Sequence, residues 1–199
     1  MARDKTQPPP ISTRGEPLRH RVIDAAERLL REGRADFSMR DLAAEAGVSF
    51  ATPFNQFGSK AAIMHALSGR RIDTMTRRFA EALPRPDAAD RVLLAIDTAV
   101  AVMLEEPQVN RAVLGWLGTA GPSPGQVLAH STTLWRLALG AGEGLTETRR
   151  EQALRCLPGQ LAFAFRGVLS FWTAGELTDD ALALNAREIA RALLLGFSE

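Results

Sequence analysis

SMRDLAAEAGVSFATPFNQFGSK, residues 38–60, is the stretch that decides the fold, because it contains the start and stop signals of two short helices. Ser38 can cap the first helix, since its hydroxyl can accept from backbone N–H groups that have no partner in the first turn. Gly47 can end that helix, because glycine reaches the left-handed backbone conformation without a Cβ penalty. A second helix, capped at Ser49 or Phe50, follows after a turn of about three residues, which predicts a helix-turn-helix.

Pro53 limits where the second helix can begin. An interior proline costs roughly 3 kcal/mol, because it removes a backbone donor and clashes with the preceding turn. That cost largely disappears in the first turn, where N–H groups have no partner within the helix. The sequence therefore predicts a helix from about Phe50 to Phe57, and Lys60 opens the next helix after a short break.

This segment resembles the DNA-binding motif of the TetR family of transcriptional repressors. The family's usual tyrosine is replaced by Phe54, which removes a hydroxyl that contacts phosphate in the family, and its usual leucine is replaced by Pro53. The matching features run without gaps and are Ser38-Met39-Arg40-Asp41-Leu42-Ala43, Ala46-Gly47-Val48-Ser49, Thr52, the aromatic residue at 54, Phe57 and Ser59-Lys60.

The composition favours an all-α fold, since the 199-residue chain has no tyrosine, few β-branched runs and much Ala, Leu and Arg. The resemblance implies the same class. It implies an N-terminal three-helix helix-turn-helix DNA-binding domain at residues 17–60 and a C-terminal helical ligand-binding and dimerisation domain at residues 61–199. Residues 1–16 are polar and include three consecutive prolines, which predicts a disordered tail.

The resemblance also implies that the second helix lies in the major groove of a double-stranded DNA operator. Arg40 and Thr52 are the candidates for contact with bases or nearby phosphates, and the polar residues around them would position the DNA backbone. The expected DNA-binding residues are Ser38, Met39, Arg40, Ser49, Phe50, Ala51, Thr52, Phe54, Asn55, Gln56 and Lys60.

Charge and cysteine content restrict the class of protein further. The formal net charge of +1 argues against broad electrostatic binding of nucleic acid and is neutral toward a sequence-specific binder with a local basic face. The single Cys156 cannot form an intramolecular disulfide, which fits a reducing cytosol. We expect a cytoplasmic protein with no membrane partner, because no signal peptide and no apolar run of membrane-spanning length is present.

Apolar periodicity predicts further helices, among them residues 61–83, 87–106 and 146–174 and a last helix capped by Thr178. The run Arg70, Arg71, Arg77, Arg78 is interpreted as a solvated face. Asp97 interrupts an otherwise apolar helix. It is therefore either paired with another side chain or solvated at the helix edge, or it faces a ligand cavity.

Two apolar helices at the end of the chain favour a homodimer formed through a four-helix bundle, and the resemblance implies the same. A small, mainly apolar effector would bind between the helices and favour a state that no longer matches the operator. The expected pocket residues are Asp97, Met103, Trp116, His130, Trp135, Phe163 and Arg166, with Arg166 the candidate partner of an acidic ligand or of Asp97. The expected dimer residues are Phe165, Leu169, Trp172, Ile189, Leu193 and Phe197.

The sequence contains no recognisable catalytic constellation. His20, His65 and His130 lie on different predicted helices, and no phosphate-binding glycine loop, metal-ligand cluster or nucleophile elbow is present. We therefore expect no catalytic residues, no metal and no cofactor. The alternative function is a helical small-molecule binding protein whose head has weak or no DNA binding, and a hydrolase or transferase ranks third.

Overall fold

The computed structural model describes residues 16–118 and 125–197, and these ranges contain nine α-helices and no strand. The predicted all-α class is therefore confirmed. The predicted tail lies outside the described residues except for Glu16, which begins the first helix. The helices are α1 (Glu16–Arg31), α2 (Met39–Ala46), α3 (Ala51–Phe57), α4 (Lys60–Glu81), α5 (Ala88–Glu105), α6 (Pro107–Gly115), α7 (Gln126–Leu139), α8 (Arg150–Thr173) and α9 (Asp179–Leu195), with a 3-10 turn at Glu147–Arg149.

The two short helices form as the sequence predicts. The Ser38 hydroxyl accepts from the backbone N–H of Asp41 at 3.2 Å, and the Asp41 carboxylate accepts from the backbone N–H of Ser38 at 2.8 Å. The Ser38 backbone N–H and, in addition, the Ser38 hydroxyl donate to the Asp41 carboxylate, which holds the pKa of Asp41 below its ordinary value. Gly47 ends α2 with φ 61°, a left-handed conformation that favours glycine.

Of the two caps predicted for α3, Phe50 is correct and Ser49 is wrong. α3 begins at Ala51, and Phe50 stands at the cap position without a side-chain hydrogen bond. The Ser49 hydroxyl lies 2.8 Å from the Thr52 hydroxyl, so it interacts with a side chain instead of a free backbone N–H. Pro53 is the third residue of α3, inside the first turn, where its missing N–H costs little.

A first hydrophobic core holds the helix-turn-helix together. It contains Val22 and Leu29 of α1, Leu42 of α2 and Ile63 of α4, all without solvent exposure. Val109 of α6 also belongs to this core. The domain boundary predicted at residue 60 therefore lies within the first core, because side chains beyond it complete that core.

A second core fills the body and is built from α5, α7, α8, α9 and the C-terminal half of α4. It contains two tryptophans, of which Trp172 has no solvent exposure and Trp135 is 2% exposed. Met75 and Phe79 of α4 are also buried in it. With 22 residues, α4 is about 33 Å long at 1.5 Å per residue, and it is shared by both cores. α4 therefore connects the body directly to the helix-turn-helix.

The last two helices begin and end close to their predicted positions. Pro158 lies inside α8, and the Thr178 hydroxyl caps α9 by accepting from the backbone N–H of Ala181 at 3.2 Å. Across the described part of the chain, no helix combines the length and apolar content that crossing a membrane requires.

Candidate functional site

One side of the helix-turn-helix presents a mixed aromatic and polar surface, which we call the head surface: Arg40, Phe50, Ala51, Thr52, Phe54 and Asn55. Phe50 is 54% exposed and Phe54 is 44% exposed, which is unusual for phenylalanine. Their rings meet edge to face with centroids 5.7 Å apart, and the Arg40 guanidinium carbon lies 5.6 Å from the Phe50 centroid. The structure therefore brings most of the expected DNA-binding residues together on one exposed surface.

Two arginines of α1 hold the short helices in position, and the sequence interpretation missed both. Arg21 donates to the carbonyl oxygens of Ala46 at 2.9 Å and Gly47 at 3.0 Å, at the C-terminus of α2. Arg19 donates to the carbonyl of Gln56 at 2.9 Å, near the C-terminus of α3. A cation at a helix C-terminus satisfies carbonyls that have no helical partner and interacts favourably with the helix dipole.

Lys60 is placed differently from the expected DNA contact. Its amine donates to the carbonyl oxygens of Ala35 at 2.8 Å and Phe37 at 2.7 Å, and it lies 4.1 Å from the Phe37 ring centroid. Partial burial lowers the pKa of this amine. Lys60 therefore ties the start of α4 to the loop before α2, which engages two of its three N–H donors within the protein.

Other expected DNA-binding residues are also engaged within the head. Met39 is half-buried and packs against the first core, while the hydroxyls of Ser38 and Ser49 are bonded to Asp41 and Thr52. Gln56 is half-buried at the end of α3. Ser38 and Ser49 remain exposed despite these bonds, and the roles of all four residues at DNA stay predictions.

An ion-pair network joins the head to the body, and it corrects the prediction of a solvated arginine face. The Arg71 side chain is only 13% exposed and pairs with Glu27 of α1 and, at 3.4 Å, with Glu106. Arg70 pairs with the same Glu27 at 3.0 Å. Arg77 is 60% exposed and fits the prediction, because its partner Glu81 is equally exposed one turn away.

An apolar cavity of about 300 Å³ lies in the body between α4, α5, α6, α7 and α8. Its walls include four of the expected pocket residues, Met103, Trp135, Phe163 and Arg166, together with Ile72, Met75, Leu114, Leu117, Val127, Leu128, Leu134, Phe165 and Leu169. The polar groups in the walls are Ser68, Arg71, Asn110, Ser131 and Arg166. A cavity of this size and composition suits a small apolar ligand.

Three expected pocket residues lie elsewhere, which corrects the prediction. Asp97 pairs with Arg187 at 2.8 and 2.9 Å, so the paired interpretation holds and Arg166 is not its partner. Trp116 packs against the first core, with its ring centroid 5.4 Å from the Lys60 amine. His130 lies 2.8 Å from the carboxylate of Asp73 and lines a separate, more polar groove beside the head.

Half of the expected dimer residues are buried within the protomer, so their assignment to an interface is wrong. Phe165 and Leu169 line the cavity, and Trp172 is fully buried with its indole N–H donating to Asp179 at 2.8 Å. Leu193 and Phe197 are partly buried against the second core. Ile189 is exposed, as expected for an interface. The other exposed large apolar side chains of α8 and α9 are Phe163, Phe171, Leu184 and Leu195. Among these four, only Phe163 was selected from the sequence, as a pocket residue.

No cluster of three or more His, Cys, Asp or Glu side chains that could hold a metal occurs among residues 16–118 and 125–197. The polar groups at the cavity are instead single donors placed in apolar walls, which suits binding and orientation of a ligand.

Comparison with known proteins identifies the head. Residues 22–67 match the family model of bacterial regulatory proteins of the tetR family. The uncharacterized HTH-type transcriptional regulators MT1294 and Rv1255c of two Mycobacterium tuberculosis strains are each 28% identical over 156 residues, covering 73% of this chain and 75% of the relative.

Solved structures extend the likeness to the whole fold. A TetR transcriptional regulator from Rhodococcus sp. RHA1 superposes with a TM-score of 0.74 at 24% identity, covering 90% of this chain and 97% of the other. The TetR family transcriptional regulator PfmR from Thermus thermophilus superposes with a TM-score of 0.53 at 19% identity, covering 88% and 97%. At these sequence identities the solved structures show the fold alone, whereas the family model and the relatives indicate the functional class, a transcriptional regulator. Residues 22–67 thus match the tetR family model, and the chain as a whole shares the fold of solved TetR transcriptional regulators.

Proposed function

We propose that this regulator is a homodimeric repressor that binds a specific DNA operator and is released from it by a small, mainly apolar ligand. The observation that carries the DNA-binding role is the head surface, where exposed polar and aromatic side chains stand on a short helix of a helix-turn-helix. In this proposal residues 17–60, with the start of α4, are the DNA-binding head, and residues 61–199 bind the effector and the second protomer.

In the major groove, the polar and the aromatic side chains of the head surface would make different contacts. Arg40, Thr52 and Asn55 supply hydrogen-bonding groups to bases and nearby phosphates. Phe50 has no hydrogen-bonding group, and its exposed ring suits apolar contact with a thymine methyl group. The edge-to-face packing on Phe54 restricts the Phe50 ring, so the contact costs little conformational entropy on binding.

An exposed apolar face on α8 and α9 supports the dimer. Phe171 is 56% exposed and Leu184 is 62% exposed, and Phe163, Ile189 and Leu195 are exposed on the same two helices. Large side chains of this kind are stabilised when a second copy covers them, and a two-fold pair of such helices forms a four-helix bundle. Two heads then read two half-sites of a symmetric operator.

The shared helix α4 supports coupling between ligand and operator. Ser68, Ile72 and Met75 of α4 line the cavity, and the same helix contributes Ile63 and Leu67 to the core of the head. A ligand that fits better when α4 is displaced shifts the population toward a state whose heads no longer match the operator spacing.

Operator binding by point variants tests the DNA role. On an operator obtained by selection from random DNA, Arg40→Ala and Asn55→Ala should weaken specific binding at least tenfold, about 1.4 kcal/mol, while leaving the fold intact. Arg85→Ala, at an exposed position between α4 and α5, is the matched control and should bind normally. If the wild type enriched no DNA sequence but bound a ligand, the alternative of a small-molecule binding protein would be favoured.

A further inference from the structure

One charged group in the cavity walls, Arg166, has no counter-ion among the residues that the structure describes. Arg166 donates from Nη2 to the carbonyl oxygen of Leu114 at 3.3 Å, whereas its Nη1 is buried and has no acceptor among the described residues. Burial lowers the pKa of this guanidinium, and no nearby carboxylate of the described residues opposes that effect. Arg166 is half-buried, and an enclosed N–H of a cation without an acceptor or an anion is costly, so this position is unfavourable in the absence of a partner.

The other arginine at the cavity differs in this respect. Arg71 is paired with Glu27 and Glu106, and its Nε donates to the Asn110 side chain at 2.8 Å. Its charge is therefore balanced within the protein. Across the described residues no Asp or Glu lines the cavity, so Arg166 gives the cavity an uncompensated positive charge in otherwise apolar walls.

We infer that the effector is an apolar monocarboxylate, a straight-chain or aryl-substituted alkanoic acid, whose carboxylate accepts from the free N–H groups of Arg166. Its apolar part lies between Trp135, Phe165 and Leu134, which form the neighbouring walls. A carboxylate supplies the counter-charge that Arg166 lacks, and such charge-assisted bonds are strong in apolar surroundings. Because protein atoms enclose Nη1, the guanidinium must turn toward the cavity for Nη1 to donate to the ligand. This inference rests on the proposed effector role of the cavity and adds the chemical class of the ligand.

The volume supports an acid of modest size. About 300 Å³ is at the small end of ligand cavities, so the acid is small. Esters, amides and alcohols with the same apolar part would fill the walls but leave the charge of Arg166 without a partner. Discrimination between acid and alcohol is therefore the property that separates this inference from simple hydrophobic binding.

Calorimetric titration of the full chain without DNA tests the inference. The ligands are hexanoate to dodecanoate and the corresponding phenylalkanoates, each compared with the primary alcohol of the same length, below micelle-forming concentrations. We expect the best acid to bind about 10- to 100-fold more tightly than its alcohol, the usual effect of a hydrogen bond to a charged group. Arg166→Gln should reduce acid affinity to that of the alcohol and leave alcohol binding unchanged.

The control is Arg136→Gln, which removes an exposed arginine of α7 that does not line the cavity and should leave the discrimination intact. Equal binding of acid and alcohol by the wild type would overturn the inference while leaving the cavity as an apolar effector site. Loss of alcohol binding in Arg166→Gln would show that the variant has lost the cavity, and Arg166→Lys, which keeps the charge, should then retain the preference for acids. Binding of no acid and no alcohol would contradict both the inference and the effector role.

Discussion

Replacing Lys60 with methionine distinguishes a residue that stabilises the head from one that contacts phosphate. The amine makes two hydrogen bonds, to the carbonyls of Ala35 and Phe37, and packs over the Phe37 ring. Hydrogen bonds of a charged group contribute about 1.5–3 kcal/mol each, and an accessible cation–π contact adds about 0.5–1 kcal/mol. Methionine keeps most of the aliphatic chain and removes the amine.

The net loss of folding stability in Lys60→Met is smaller than the sum of these contributions. The freed carbonyls regain water, and removal of the half-buried amine relieves the desolvation that lowers its pKa. We therefore expect Lys60→Met to lower the free energy of unfolding by about 1–3 kcal/mol. Urea denaturation followed by tryptophan fluorescence measures this loss, and Trp116 lies close enough to Lys60 to report on it.

Arg40→Met is the matched comparison, because Arg40 is exposed on the head surface. It should leave the free energy of unfolding within about 0.5 kcal/mol of the wild type and weaken operator binding. Operator binding measured by fluorescence anisotropy at several salt concentrations completes the test. If Lys60→Met were as stable as the wild type and lowered the salt slope by about one ion per protomer, Lys60 would be a phosphate contact and our reasoning would be refuted.

Three further predictions concern the helix cap at Ser38, the stability at low pH and the dimer. Ser38→Ala should lower the free energy of unfolding by about 1 kcal/mol in urea, since it removes the hydroxyl that accepts from the first turn of α2, and an unchanged midpoint would contradict the cap. Hydrogen bonds hold the pKa of Asp41 and Glu106 below their ordinary values of 3.8 and 4.5, so the folded state binds fewer protons than the unfolded state. The stability that they contribute should be complete above about pH 5 and fall as the pH drops through the folded pKa values. The fall should be less steep in Glu106→Gln, and equal slopes for the variant and the wild type would exclude Glu106 as a contributor. Phe171→Glu should convert a particle with the mass of two chains into one with the mass of a single chain in light scattering, because it places a charge in the exposed apolar face, and a wild-type protein with the mass of one chain would refute the dimer.

Features that depend on neighbours in sequence could be predicted from the sequence. The Ser38 capping box, the left-handed Gly47, the tolerance of Pro53 and the Thr178 cap all involve backbone groups within a few residues. Their physical causes are local, so the residue types alone indicate them.

Long-range polar partners could not be predicted in the same way. Arg21 meets the C-terminus of α2, 25 residues away, and Arg71 meets Glu27, 44 residues away. Nothing in the composition of α1 or α4 specifies these pairings, because they arise only when both helices are packed. For the same reason the sequence left two interpretations of Asp97 open, a pocket residue or a paired or solvated one, and the pairing with Arg187 decides between them.

The orientation of α8 explains the errors in the dimer assignment. This helix is apolar around most of its girth, so the spacing of Phe165, Leu169 and Trp172 and that of Phe163 and Phe171 are both compatible with a helical stripe. Which stripe faces inward depends on α7 and α9, against which α8 packs. The cavity could not be predicted from the sequence either, because it is a space between side chains from five helices.

The most direct test of the account is parallel selection of bound sequences from random DNA by the wild-type protein and by Phe50→Arg. If α3 reads the major groove, the wild type should enrich a two-fold symmetric operator with a thymine at one position of each half-site. The variant should select the same operator with guanine replacing the base read by Phe50, since arginine pairs with the two acceptors of guanine. Enrichment of no sequence by the wild type, or an identical operator for both proteins, would contradict the account.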